Sequence, residues 1–113
     1  MDTVETYRAI IHHLLSEYQH FFSVNTKTDV ETEVIRDDMG GQYLLMRVGW
    51  RGDKRVRRPL FYLRLKNGKI WIEEDNTQEG IANDLRRAGV PEQDIVLAFT
   101  PPDLRHLTEF AVG

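Results

Sequence analysis

The sequence contains no cysteine in its 113 residues, which excludes disulfides, thiolate metal sites and cysteine nucleophiles and leaves the redox compartment open. It also lacks any apolar run approaching the ~18 residues of a membrane span. The opening MDTVETYRAIIHHLL has neither the basic start nor the long apolar stretch of a secretory signal. The expectation is a cytoplasmic protein. No glycine-rich phosphate loop is present either, because Gly49 and Gly52 fit neither G-x-x-x-x-G-K nor G-x-G-x-x-G. Gly40-Gly41 lies between two strand-like runs, so it has no helix start to offer a phosphate.

A chemistry is missing as well. His13, Glu17 and His20 fall on one line of a helix, the spacing that can hold a divalent metal, but no fourth ligand is suggested. The carboxylates of Glu73-Glu74-Asp75 sit on successive strand residues and so point to opposite faces. Asp103 and His106 have no nucleophile to act with. The sequence therefore predicts no catalytic residue, no metal and no cofactor, in a protein that is not an enzyme.

What is present is an uneven charge. The chain carries a net charge of −3, yet the segment from Arg47 to Lys69 holds nine of the fifteen Lys and Arg residues with Asp53 as its sole acid, a local +8. So one-sided a block suggests an acidic or polyanionic partner, with Arg51, Lys54, Arg55, Arg57 and Arg58 as candidate contacts. Hairpin ends left in solvent would also collect charges.

The organising stretch is Leu60 to Asp75, two alternating runs joined by Asn67-Gly68. That dipeptide tolerates the positive φ that a type I′ turn needs at both central positions. A two-residue loop pairs Lys66 with Lys69, Leu65 with Ile70, Arg64 with Trp71, Leu63 with Ile72 and Tyr62 with Glu73. Arg64 opposite Trp71 suggests a cation–π contact. Upstream, Asp2 to Phe22 reads as a helix, with Asp2 and Glu5 spaced as a capping box and Val4, Tyr7, Ile11, Leu14, Tyr18 and Phe21 along an apolar stripe. Val30 to Asp37 and Tyr43 to Trp50 read as strands. Alternation carried back from Leu65 would bury Arg55 and Arg57, whose desolvation forbids it, so the strand must break phase near Pro59. A second helix begins at Asn76 with Glu79 and ends at Gly89-Val90-Pro91. Ile95 to Phe99 is an apolar run, and the tail beyond Thr100 has no assigned place.

These elements predict a single α+β domain over residues 1–113: a two-layer fold with an antiparallel meander of four strands, Ile95 to Phe99 as a candidate fifth, packed against the N-terminal and second helices. Phe61, Leu63, Leu65, Ile70 and Ile72 are assigned to the core, and with them Leu44, Met46, Val48 and Trp50. The opposite face then consists of Tyr43, Leu45, Arg47, Tyr62, Arg64, Trp71 and Glu73, an amphipathic surface suited to binding protein, either a second copy or a different partner.

Several segments in order resemble the XisI family, the fdxN element excision controlling factors of nitrogen-fixing filamentous cyanobacteria. They are Tyr43-Leu44-Leu45 with Val48-Gly49-Trp50, Gly68-Lys69-Ile70-Trp71-Ile72, Asp75-x-Thr77-x-Glu79-Gly80-Ile81-Ala82, Gly89-Val90-Pro91, Asp94-Ile95-Val96-Leu97-x-Phe99, Arg105, and Thr108-x-Phe110-Ala111. Tyr7 and Ile10-Ile11 fit the N-terminal helix. The resemblance implies an accessory factor in DNA rearrangement that works with a XisH-like protein while a separate recombinase does the cutting. It implies no catalytic or cofactor-binding residue. Arg51-Gly52-Asp53-Lys54 and Tyr62 with Arg64 lie outside its motifs, where specificity of this copy is expected. Three functions compete: protein binding to a XisH-like partner, direct DNA binding through Arg47 to Lys69, and catalysis, which the residue inventory favours least.

Overall fold

Helix α1, Thr3–Asn25, buries the middle of the stripe that its spacing predicts, while Phe21 at its end is 55% exposed. Tyr7, Ile11, Leu14 and Leu15 have almost no exposed surface, and Tyr18 packs partly buried beside them. The computed structural model describes residues 3–25 and 29–113, so Asp2 of the expected capping box lies outside the described residues. Glu5 pairs with Arg8 one turn on. The helix runs past the expected end at Phe22 to Asn25, and the Ser23 hydroxyl donates to the His20 carbonyl at 2.8 Å in that last turn.

Strands β1 (Val30–Asp37), β2 (Gln42–Arg51), β3 (Lys54–Lys66) and β4 (Lys69–Asp75) form the antiparallel meander. A short β5, Ile95–Leu97, joins it parallel to β4, giving a mixed sheet in the order β1-β2-β3-β4-β5. A parallel neighbour needs a long crossover. The chain between β4 and β5 supplies it, with helix α2 (Ile81–Arg87) and a 3-10 turn at Glu92–Asp94 on the way. Ile81 and Leu85 bring α2 onto the face that α1 covers, where they join Phe61, Leu63, Ile70, Ile72 and Ile95 in the core.

The β3–β4 turn adopts the expected backbone, with φ of 55° at Asn67 and 74° at Gly68. Its register holds from Lys66/Lys69 to Leu63/Ile72 and then shifts, so Tyr62 faces Glu74 rather than Glu73. The predicted break near Pro59 is present too: Leu45 pairs with Phe61 but Met46 with Pro59, leaving Leu60 as the additional residue.

The face assignment of β2 is overturned. Tyr43 lies opposite Leu63 and Leu45 opposite Phe61, all four fully buried, so Tyr43 and Leu45 belong to the core. Leu44, Met46, Val48 and Trp50 occupy the other side. Arg47 follows Tyr43 and Leu45 onto the helix side, where its guanidinium lies 4.4 Å from the Phe22 ring centroid. Both alternating sets of β2 are apolar enough to be buried, and β3 chooses between them by register. The Tyr43 hydroxyl donates to Asp38 at 3.0 Å, which lets a tyrosine enter the core with its polar end partnered.

The start of α2 also differs from expectation. The helix begins at Ile81 after Gly80, and the group that caps it is the Asp75 carboxylate at the end of β4. Asp75 accepts from the Ile81 N–H at 2.9 Å and from the Thr77 N–H at 2.9 Å. Its side chain thus joins sheet to helix, and neither Asn76 nor Glu79 has that role.

The tail has a defined place. A 3-10 helix at Pro102–Leu107 turns it back, and Ala111 bridges Val96 beside β5. Arg105 donates to the carbonyls of Ala98 at 3.2 Å and Thr100 at 2.9 Å, holding the return. Among the described residues no helix is long and apolar enough to cross a membrane.

Candidate protein-binding face and basic groove

Because both helices pack on one side of the sheet, its other side is open over β1 to β3. Register arranges the open face into rows: Glu31, Val48 and Arg57; Glu33, Met46 and Pro59; Ile35, Leu44 and Tyr62; Asp37, Gln42 and Arg64. Acidic β1, apolar β2 and basic β3 therefore lie side by side as stripes. Ile35 and Trp50 are each 51% exposed, and Leu44, Met46, Val48 and Tyr62 are half-buried, with no element above them among the described residues. Glu31, Glu33 and Arg57 make no ion pair among the described residues.

Of the residues assigned to this face from the sequence, the structure places Tyr62, Arg64, Trp71 and Glu73 there and removes Tyr43, Leu45 and Arg47. Arg64 approaches Glu73 at 3.8 Å. Trp71 lies beside Arg64 in register, but the cations over its ring are Lys66, 4.8 Å away, and Arg105, 5.6 Å away. The Trp71 indole N–H donates to the Lys66 carbonyl at 3.1 Å. The tail thus closes the β4–β5 end of the face, burying Val96 completely, and leaves the β1–β3 part uncovered. Ile35, Leu44, Met46, Val48 and Trp50 were missed as site residues. The alternation of Glu31 and Glu33 with Thr32 and Val34 is the signal that β1 has one outward side.

At the β2–β3 end lies the second feature. β4 pairs only as far as Phe61, so among the described residues β3 from Lys54 to Arg58 runs on with a free edge. Arg47, Arg51, Lys54, Arg55, Arg57 and Arg58 line a groove of about 560 Å³ there, with no carboxylate among its walls. The five expected contacts Arg51, Lys54, Arg55, Arg57 and Arg58 are brought together. Arg47 joins them from the helix side, its Nε buried without a hydrogen-bond partner among the described residues. Desolvation, then the nearby Arg51 charge, lowers its pKa. Asn76 closes the inner end, donating to the Leu60 carbonyl at 2.7 Å through its backbone and to the Pro59 carbonyl at 3.0 Å through its side chain.

The residues weighed for chemistry stay apart. His13 pairs with Glu17 at 2.7 Å on the exposed side of α1. Asp103 and His106 are exposed on the tail helix, Glu74 accepts from Asn76 at 2.8 Å, and Asp75 caps α2. Among the described residues, no three or more His, Asp or Glu side chains converge as metal ligands would.

A family model described as XisI protein matches residues 1–112. The chain belongs to the XisI family. Its mixed five-stranded sheet with helices on one side is also that of two solved XisI-type structures from Anabaena variabilis ATCC 29413. One, the fdxN element excision controlling factor XisI, is 41% identical, with 99% of this chain and 100% of that chain covered at a TM-score of 0.81. The other, a XisI-like protein, is 33% identical, with coverage of 97% and 99% and a TM-score of 0.88. No curated protein matches. The XisI match takes in both the open face and the basic groove, so both surfaces lie within the family domain.

Proposed function

We propose that this XisI-family chain is a non-catalytic control factor in the excision of a DNA element, and that it acts by binding protein, with a XisH-like protein as its partner. The control role comes from its relatives, one of which bears the name excision controlling factor. The binding role is carried by one observation: the uncovered sheet face of Ile35, Leu44, Met46, Val48, Trp50 and Tyr62. An apolar, aromatic surface rimmed by charge is the composition of an interface centre. A second copy of the chain is the other protein this face fits. Co-expression with a XisH-like protein followed by size exclusion tests the function. Co-elution at micromolar concentration is expected, and separate elution would overturn it.

A second reading has its own observation, the acid-free groove lined by six cations. Such a surface suits the phosphates of duplex DNA, and a binder that neutralises six phosphates loses orders of magnitude in affinity between roughly 50 and 200 mM salt. Fluorescence polarisation with duplex DNA at low salt decides this reading: no binding there removes it.

A further inference from the structure

We infer that the open sheet face takes a second copy of this chain, stacked sheet to sheet about a two-fold axis that runs parallel to β2 midway between the sheets. The inference rests on the reading of this face as a protein interface and names its occupant.

The argument is the order of the stripes. A two-fold axis along β2 keeps each residue at its own height on the strand and exchanges left for right, so β1 of one copy lies over β3 of the other while β2 lies over β2. In the row of Glu31, Val48 and Arg57, each Glu31 then faces the Arg57 of the other copy and Val48 meets Val48. In the row of Asp37, Gln42 and Arg64, each Asp37 faces the other copy's Arg64. The middle rows bring Met46 onto Met46 and Leu44 onto Leu44, with Ile35 against Tyr62. One operation thus makes the two end rows complementary in charge and the Leu44 row complementary in apolar contact, as an isologous interface requires, while Glu33 meets Pro59 without a charge partner.

The competing face-to-face arrangement fails on charge. An axis across the strands keeps β1 over β1 and inverts height, so Glu31 would face Asp37 and Arg57 would face Arg64, and like charges brought together suppress that pairing. The tail agrees with the first axis too. It closes the face over Trp71 on β4 and Val96 on β5, beyond β3, and the rotation carries that rim outside the free edge of the partner's β1. There it borders the stack without entering it.

Size sets the expected strength. Nine residues from Gln42 to Trp50 at about 3.3 Å each, and the three strands β1 to β3 at about 4.8 Å each, give a flat footprint of roughly 400 Å² per copy. That is the size of patch that marks an interaction site on a monomer and falls below the standard ~800 Å² per partner. An interface below the standard size is a reversible one, so the second copy can give up this face to the XisH-like protein.

Sedimentation equilibrium on the full chain alone tests the assignment. Wild type is expected to dimerise with a Kd of tens of micromolar. Glu31→Arg and Arg57→Glu should each weaken this by roughly tenfold or more, because the two-fold repeats every altered pair. Mixing the two variants should restore association, since the reversed charges then meet their opposites across the interface. A mixture no tighter than either variant alone would overturn the axis, and a wild-type monomer at roughly 200 µM, well above such a Kd, would overturn the second copy. Leu44→Glu, with unchanged circular dichroism, separates the two levels. If wild type is monomeric and this variant loses a co-expressed XisH-like protein, the face is an interface with a different occupant. If the variant keeps that protein, the interface reading falls as well.

Discussion

Tyr43 and Leu63 stand directly opposite each other across β2 and β3, and neither has any exposed surface. That pairing decides which side of β2 is core and, by exclusion, which side is left to partners. Tyr43→Ala should cost about 3–5 kcal/mol, the range for deleting a core aromatic. Leu44→Ser, one residue along on the open face, should cost about 1 kcal/mol or less. Urea unfolding of the two variants compares them directly, and equal losses would contradict the assignment.

Gly49 and Gly52 should respond differently to alanine. A Cβ on Gly49 would lie 2.0 Å from the Asp29 carbonyl oxygen and 2.7 Å from the Val30 Cα, both backbone of the approach to β1. Gly52 meets nothing within 4 Å but has a φ of +66°. Gly52→Ala is therefore expected to cost about 1 kcal/mol from backbone strain alone. Gly49→Ala must displace β1, and its loss should be several-fold larger. Thermal unfolding of both variants checks the order.

The carboxylate of Asp75 accepts from the N–H groups of Thr77 and Ile81. Asp75→Ala should lower stability by about 1–2 kcal/mol, as loss of a helix cap does, and should speed hydrogen exchange at the first amides of α2. If exchange at Ile81 is unchanged, the cap is not what holds the helix to β4.

Two tyrosines tie α1 to the elements beside it, Tyr7 to Asp94 and Tyr18 to Asp84, each at 2.5 Å. Burial, then hydrogen bonding to Asp94, pushes the Tyr7 pKa from 10.0 up to about 12. Burial and Asp84 raise Tyr18 further. The folded state keeps these phenols protonated at a pH where the unfolded chain releases their protons. Their contribution to stability is therefore complete below pH 10; that of Tyr7 is lost as pH rises to about 12, and that of Tyr18 declines over the same window and beyond it. Denaturant melts across that window should show the decline, and Tyr7→Phe should make it shallower. An equally steep fall in that variant would exclude Tyr7 as a source.

Arg105 holds the returning tail through Ala98 and Thr100 and lies over Trp71. Arg105→Ala should loosen the tail, shift tryptophan emission to the red and raise acrylamide quenching. With Trp71→Phe as background the change should vanish. A change that persists there would report Trp50 instead.

Much of the fold was legible in the residues because local chemistry settles it. Asn67-Gly68 fixed its turn and the first pairs of β3 with β4. Arg55 and Arg57 forced the phase break near Pro59, and the 3.6-residue recurrence of apolar side chains located the buried stripe of α1. The clustering of Arg51, Lys54, Arg55, Arg57 and Arg58 was legible as well, since charges that share a hairpin end up close together, whereas the groove and the place of Arg47 in it were not.

The open face was only partly legible, for a physical reason. A strand with one apolar and one polar side declares its orientation, but β2 has apolar residues on both, Tyr43 and Leu45 against Leu44, Met46 and Val48. Burial alone cannot rank two such sets. The choice came from β3, whose bulge at Leu60 aligned Tyr43 with Leu63, and from Asp38, which gave the buried hydroxyl a partner. The cap on α2 and the docking of the tail arose in the same way, from Asp75 and Arg105 reaching backbone groups that only the folded chain brings near. Sequence by itself thus determined the elements, the family and the basic block. Tertiary structure decided which surface remained for a partner, because register is a relation between strands and no single strand contains it.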